Sequence, residues 1–150
     1  MKKIFFSRSH GLFLFSVVSF AFIMNGCFSV KLIADYDEAV DKQVTEIYRN
    51  ISIYMQDLVN TPQVSGTDSI ARTTKYNSIQ LDISTIKLRA SAKEKNSQQI
   101  QQVELLADSW NKIGELQKLR PTKDMVQSAQ SGLEITLTAI LRLEIAKKRS

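Results

Sequence analysis

Apolar residues recur at alternating spacings of three and four along most of the chain beyond residue 34. This is the pattern of amphipathic helices. The first such stripe consists of Val40, Val44, Ile47, Ile51, Tyr54 and Leu58. Asp35 precedes it and is expected to cap the helix at its positive end, whereas Pro62 and Gly66 end the pattern. The spacing therefore predicts a first helix between Asp35 and Pro62.

Three further stripes have apolar residues three or four positions apart. The second follows Thr67–Ser69 and contains Tyr76, Ile79, Ile83, Ile86 and Ala90. A strand is conceivable over residues 79–86, which are rich in β-branched side chains, but they do not alternate and a helix is favoured. The third follows a break at Asn96–Ser97 and contains Ile100, Val103, Ala107, Trp110, Ile113 and Leu116. The fourth follows Arg120–Pro121 and contains Met125, Ala129, Leu133, Thr136, Ile140 and Leu143.

Four amphipathic segments joined by short breaks predict an all-α protein, an antiparallel four-helix bundle formed by residues 34–150. In this topology the first and last helices run in opposite directions, so both termini of the domain lie at one end. Gly132 lies inside the fourth segment, where glycine costs about 1 kcal/mol of helix propensity relative to alanine. We expect it to mark a close contact between helices.

The first 26 residues have a different pattern. Lys2, Lys3 and Arg8 precede an uncharged run that begins at Gly11, the arrangement of a secretory signal. The run ends in a small residue followed by Cys27, which resembles the lipobox of bacterial lipoproteins. In that motif the cysteine is acylated and becomes the first mature residue.

These features predict a signal peptide over residues 1–26, lipid attachment at Cys27 and a short tether over residues 27–33. Phe28 follows the cysteine where an aspartate would imply retention in the inner membrane, so the resemblance implies the periplasmic face of the outer membrane. An alternative stays open. Residues 11–30 carry no charge and are long enough to span a bilayer, so an uncleaved helix could anchor the protein in the inner membrane.

The composition excludes several kinds of chemistry. The only histidine is His10 and the only cysteine is Cys27, so the predicted domain lacks Ser-His and Cys-His nucleophile systems and zinc sites built from these residues. The formal net charge is +5 for the whole chain, but residues 27–150 contribute only +2 (17 basic minus 15 acidic side chains). We therefore expect no nucleic-acid partner, no cofactor, no metal and no enzymatic activity.

Three segments are similar to a family of small, uncharacterised bacterial lipoproteins. They are the opening K-L-I-A-D-Y-D of residues 31–37 with Asp41, residues 81–90, and residues 143–149. The resemblance implies a helical, exported, membrane-attached protein and assigns no activity. It indicates which polar side chains are candidate structural or partner contacts: Asp35, Asp37, Asp41, Arg89 and Glu144. Helix capping is favoured over cation binding for the three aspartates, since no calcium-binding loop surrounds them.

Basic residues at the C-terminus are candidate contacts with lipid headgroups. Lys147, Lys148 and Arg149 end the fourth helix, which the predicted topology places beside the tether. The alternative, which we favour, is that they complement the negative end of that helix.

The functional expectation is a membrane-anchored, non-enzymatic module that docks an envelope protein partner or supports the envelope. Tyr48 lies off the first stripe and is the best candidate for an exposed contact. A second possibility is carriage of a lipid or another apolar ligand inside the bundle, which requires an internal cavity. A third is an enzyme with acid-only chemistry, which would need converging carboxylates with shifted pKa values.

Overall fold

The computed structural model describes residues 34–63 and 65–149. The predicted signal peptide, Cys27 and the tether lie outside these residues. The described part of the chain consists of four α-helices and contains no strand. These are α1 (Glu38–Asn60), α2 (Gly66–Ser91), α3 (Ser97–Leu116) and α4 (Lys123–Lys148), with a 3₁₀ turn at Gln117–Leu119. The prediction of an all-α four-helix bundle is confirmed.

The helices are arranged as a ring of neighbours. Each packs against the helix before and after it, and α4 closes the ring by packing against α1. The connections are short, so successive helices run in opposite directions. Eighteen apolar residues from the four helices form one core, whose largest fully buried side chains include Trp110, Tyr54 and Met55.

The helix boundaries follow local capping signals. Helices α3 and α4 begin at the predicted breaks, Asn96–Ser97 and Arg120–Pro121. The Thr122 hydroxyl accepts a hydrogen bond from the Met125 N–H at 3.4 Å and caps α4. The cap of α1 is Asp37 instead of Asp35, because the Asp37 carboxylate accepts hydrogen bonds from two free N–H groups of the first turn. Helix α2 begins earlier than predicted, at Gly66, whose positive φ of 59° suits glycine.

The inward face of α4 differs from the expected one. The buried residues are Val126, Leu133, Leu137, Ile140, Glu144 and Lys147, whereas Met125 is 44% exposed. The face is rotated by about one residue relative to the apolar pattern, and its last turns are polar. The prediction was wrong because it assigned only apolar residues to the inward face. It therefore placed Leu143 inward, whereas the neighbouring Glu144 is the buried residue.

Three aromatic rings pack together in the core, toward the end of the bundle where α1 and α3 end. Tyr76 stacks on Trp110 with ring centroids 5.1 Å apart, and Tyr54 meets Trp110 edge-on at 5.2 Å. The close approach between helices occurs here, at Gly114, where a Cβ would lie 2.7 Å from the Tyr76 hydroxyl oxygen. A Cβ on Gly132 would meet nothing within 4 Å, so the expected close contact at Gly132 was wrong.

Candidate functional site

Polar side chains are buried at the end of the bundle where α1 begins and α4 ends. The connection between α2 and α3 lies at the same end. We call the group formed by Asp37, Asn96, Gln99, Glu144 and Lys147 the terminal cluster. Glu144 is fully buried and Lys147 is 8% exposed, although both are charged residue types that are almost never buried unless paired.

Lys147 is the centre of this cluster. Its ammonium group donates to Glu144 Oε1 at 2.7 Å and to Asn96 Oδ1 at 2.7 Å, and it also contacts Gln99 Oε1. An ammonium group has three N–H donors, so these three acceptors use all of them. Asn96 Nδ2 in turn donates to the Ala90 carbonyl in the last turn of α2, at 2.9 Å. The cluster therefore links α2, α3 and α4.

Glu144 connects the cluster to the start of α1. Its second oxygen, Oε2, accepts a hydrogen bond from the backbone N–H of Asp37 at 2.9 Å. One buried carboxylate thus bonds the ammonium group of its own helix and the backbone at the entry to α1. This contact places the two ends of the helical chain side by side, as the antiparallel topology requires.

The Asp37 carboxylate faces basic side chains at the end of α2. Lys93 Nζ lies 3.0 Å from Asp37 Oδ2, and Arg89 Nη1 lies 4.0 Å from Oδ1. Lys93 also donates to the backbone carbonyls of Asp35 and Tyr36, at 3.2 and 3.4 Å. Desolvation alone would raise the pKa of Asp37, but the hydrogen bonds from Lys93 and from the first turn of α1 outweigh it and lower the pKa.

Tyr36 and Asp41 form the outer edge of this end. The Tyr36 hydroxyl donates to Asp41 Oδ2 at 2.8 Å, and this hydrogen bond, with a smaller contribution from desolvation, raises the pKa of Tyr36 to about 12. The Lys148 ammonium group lies 5.3 Å from the centre of the Tyr36 ring, within the range of a cation–π contact. Lys148 and Arg149 are exposed, so they remain candidate headgroup contacts.

All five candidate polar residues lie at this end of the bundle: Asp35, Asp37, Asp41, Arg89 and Glu144. Glu144 accepts a hydrogen bond from the Asp37 N–H, and Arg89 lies beside the Asp37 carboxylate. Asp41 accepts a hydrogen bond from Tyr36, and the Asp35 carbonyl accepts one from Lys93. Lys147 differs from the expectation for headgroup contacts, because it is buried within the terminal cluster.

Sequence reasoning missed Lys93, Asn96 and Gln99. Asn96 was noted only as a helix break, and nothing in its neighbourhood indicated a lysine 51 residues away. A signal was available for Lys147: it follows Glu144 by three residues, which places both on one face of a helix. That signal becomes informative only once the inward face of α4 is known.

The opposite end of the bundle carries a second buried cation. Arg72 is 6% exposed, and its guanidinium group binds the Asp57 carboxylate and the Thr61 carbonyl. It therefore joins α2 to the end of α1. Because Arg72 satisfies a carbonyl at the C-terminus of a helix, a structural role explains its burial.

Grooves between α3 and α4 open on the surface. One has a volume of about 640 Å³ and is lined by apolar and small residues that include Ile113, Leu116, Met125 and Ala129. Within residues 34–63 and 65–149, no three His, Cys, Asp or Glu side chains are grouped so that they could hold a metal ion. None of the helices in this part of the chain is both long and apolar enough to cross a membrane.

The chain has no match among protein-family models, curated proteins or solved structures. Its functional interpretation therefore depends on its own residues and geometry.

Proposed function

We propose that this chain is a lipid-anchored, non-enzymatic module of the bacterial envelope, attached through Cys27 at the periplasmic face of the outer membrane. Its helical bundle would present a surface to an envelope protein partner. The observation that carries the proposal is the hydrogen bond from the Asp37 N–H to Glu144. It fixes the start of α1, the element nearest to Cys27 in the chain, against the end of α4.

The length of the tether supports this arrangement. Ala34, the first described residue, follows Cys27 by seven residues, which span at most about 25 Å when fully extended. An acylated Cys27 would therefore keep the terminal cluster close to the bilayer. The contacts of Asp37 with Glu144 of α4 and with Lys93, which follows α2, hold the first turn of α1 in place.

The bonding of the terminal cluster supports a structural role over a catalytic one. All three Lys147 N–H donors are used by side chains of the cluster, and Glu144 uses one oxygen for Lys147 and the other for Asp37. A general acid, base or nucleophile must instead reach a substrate. These charged groups stabilise one another and the junction of the helices.

Docking is favoured over carriage of a lipid inside the bundle. Carriage needs space among the inward-facing side chains, but large residues occupy these positions: Trp110, Tyr54, Met55 and Leu133 are each at most 1% exposed. The outer surface, in contrast, exposes large apolar side chains, including Tyr48 at 44% and Ile53 at 51%. A partner that covers these side chains would remove their apolar surface from water.

The anchor is tested by labelling cells that express the full chain with an alkyne-tagged fatty acid. Mass spectrometry of the N-terminal peptide then identifies the acylated residue, and membrane fractionation identifies the membrane. We expect label on Cys27, removal of residues 1–26 and recovery in the outer membrane. Cys27→Ser is the matched control and should abolish the label. A free thiol at Cys27 in the wild-type protein would refute the proposal, and an uncleaved N-terminus would favour the inner-membrane alternative.

A further inference from the structure

A small pocket lies beside the terminal cluster, at the start of α3. It has a volume of about 140 Å³ and is lined by residues 95–99 together with Leu143 and Lys147. We call it the α3 pocket. Its volume exceeds the roughly 30 Å³ that one water molecule takes up in the liquid, so it admits a larger polar group. Of the lining residues that the structure describes, two are basic and none is acidic.

The first turn of α3 lines the pocket, and its backbone N–H groups have no acceptor within the helix. The hydrogen-bond ladder of α3 begins with the bond from the Ile100 N–H to the Asn96 carbonyl, at 3.1 Å. The N–H groups of Ser97, Gln98 and Gln99 therefore precede the ladder. This turn contains no acidic residue that would compensate the positive end of the helix.

Asn96 occupies the capping position of α3 but does not cap it. Its side chain makes no hydrogen bond to the first turn, although asparagine is among the preferred capping residues. Both ends of the amide are engaged elsewhere, because Nδ2 donates to the Ala90 carbonyl and Oδ1 accepts from Lys147. The terminal cluster therefore keeps this cap away from α3 and leaves the first-turn N–H groups available to another acceptor.

The Gln99 side chain is an independent sign of a missing acceptor. Gln99 is 1% exposed, and its Oε1 contacts the Lys147 ammonium group. Its Nε2 is also buried, yet no atom in the described part of the chain accepts a hydrogen bond from it. A buried amide without an acceptor is costly and uncommon in folded proteins. An acceptor in the α3 pocket would satisfy this group as well as the first turn of the helix.

We propose that the α3 pocket binds a phosphate group, held by the backbone N–H groups of residues 97–99 and by Gln99 Nε2. The N–H groups and the dipole at a helix N-terminus both favour an anion. A phosphate group has acceptor oxygens in several directions, so it can bind donors from the backbone and from a side chain together. Lys147 adds positive charge, since it lines the pocket whereas its partner Glu144 does not.

Two sources can supply the phosphate group: a phospholipid headgroup and a phosphate in solution. The headgroup source rests on the proposed function, because an acylated Cys27 keeps this end of the bundle close to the bilayer. The site itself is independent of the anchor, because it consists of described residues of the bundle.

Nuclear magnetic resonance of the full chain tests the site. The protein is labelled with isotope-enriched glutamine and purified in a neutral, phosphate-free detergent, and inorganic phosphate is titrated at constant ionic strength. We expect saturable shifts of the Gln99 side-chain amide and of the Gln98 and Gln99 backbone amides. Chloride at the same ionic strength should produce no such shifts. Equal responses to the two anions would overturn the proposal, as would the absence of a response to phosphate.

Three glutamine-to-glutamate variants localise the binding. Gln99→Glu keeps an oxygen for Lys147 but replaces the Nε2 donor by a carboxylate oxygen, and should weaken phosphate binding by about tenfold or more. Gln98→Glu places a carboxylate at an exposed position of the same turn, without altering a buried group, and should also weaken binding. Gln127→Glu, the matched control, adds the same charge at an exposed position of α4 outside the pocket and should leave the affinity unchanged.

The remaining first-turn amide reports binding in each variant, and circular dichroism checks that the helices are intact. If Gln99→Glu does not fold, the comparison of Gln98→Glu with Gln127→Glu decides. Equal affinities of these two variants and the wild-type protein would overturn the proposal.

The same signals identify the source of the phosphate group. The full chain is placed in phosphatidylglycerol nanodiscs without free phosphate. If a headgroup occupies the pocket, the Gln99 signals are already at the bound position and added inorganic phosphate moves them no further. If a phosphate in solution is the ligand, they move only when it is added. Either result supports the site, whereas signals that stay at the unbound position under both conditions overturn it. The acylation state of Cys27, measured on the same samples, shows separately whether the proposed function fails.

Discussion

Glu144 accepts a hydrogen bond from the backbone N–H of Asp37, a residue 107 positions earlier in the chain, at a distance of 2.9 Å. Neither residue is apolar, yet the contact between them joins the beginning and the end of the bundle. Its stability depends on Lys147, whose ammonium group compensates the buried carboxylate. The terminal cluster is therefore a set of mutually dependent polar groups, and its members should respond together to mutation.

Glu144→Gln should strongly destabilise the bundle. The substitution removes the charge of the Glu144 carboxylate, which pairs with the buried Lys147, and breaking a buried ion pair costs about 3–5 kcal/mol in comparable proteins. Urea denaturation monitored by circular dichroism at 222 nm measures the change. Glu144→Gln combined with Lys147→Met should recover most of the loss, because the double variant contains no unpaired charge.

The exposed ion pair of α1 is the matched control for this experiment. Glu38 and Lys42 are 2.7 Å apart, but both side chains are largely exposed to solvent. Glu38→Gln should therefore change the free energy of unfolding far less than Glu144→Gln. Equal effects of the two substitutions would mean that burial of the Glu144–Lys147 pair does not matter for stability.

Asp37→Asn should reveal a pH-dependent contribution at low pH. The pKa of Asp37 is lowered in the folded protein, so its ionised form stabilises the fold above the unfolded-state pKa of about 3.9. This contribution is lost as the pH falls below about 4 and through the lower, folded-state pKa. Asparagine can still cap α1, so the difference between wild type and variant isolates the charge.

We expect Asp37→Asn to be less stable than wild type by roughly 1 kcal/mol at pH 7, from the helix dipole and Lys93. The difference should shrink below about pH 4. Denaturation series between pH 2.5 and 7 measure it. A difference that does not vary with pH would show that the Asp37 charge has no role in stability.

Gly114→Ala and Gly132→Ala should have opposite effects. A Cβ at Gly114 would lie 2.7 Å from the Tyr76 hydroxyl oxygen, and Tyr76 is held by its stacking on Trp110, so we expect a loss of about 1–3 kcal/mol. At Gly132 a Cβ meets nothing, and alanine should stabilise the helix by up to about 1 kcal/mol. Thermal denaturation of the two variants provides the measurement. Stabilisation by both substitutions would indicate that the aromatic cluster can move to accommodate Gly114→Ala.

The headgroup hypothesis predicts that binding to anionic lipid depends on Lys148 and Arg149, the two exposed cations at the end of α4. The test uses a chain that starts at residue 27 with Cys27→Ser, mixed with vesicles that contain anionic lipid. Replacing both exposed residues by glutamine should weaken binding to the vesicles by about thirtyfold, at roughly 1 kcal/mol for each of the two charges near the surface. Unchanged binding would favour the alternative, in which these cations complement the end of α4.

Lys147 is excluded from that test because it is buried. Substituting it would disrupt the terminal cluster and destabilise the bundle, so that a loss of stability could not be distinguished from a loss of lipid binding. Circular dichroism of the Lys148 and Arg149 variant provides the necessary check that the helices remain intact.

Much of the fold could be predicted because its signals are local. The three-four spacing of α1 and α2 identified most of their buried residues, and the breaks at Asn96–Ser97 and Arg120–Pro121 marked the starts of α3 and α4. The candidate site could be predicted only in part. The resemblance singled out Asp37 and Glu144, but nothing in the sequence indicated that they touch.

The amino-acid sequence by itself determined that the chain forms four amphipathic helices, because spacing, caps and breaks act over a few residues. Only the tertiary structure decided which polar groups are buried. A charged group is tolerated inside a protein when partners satisfy it, and the partners of Lys147 come from the start of α3 and from its own helix, whereas Glu144 also reaches the entry to α1. Helix packing brings these groups together, so neither the burial of Lys147 nor the inward face of α4 could be read from the pattern of one helix.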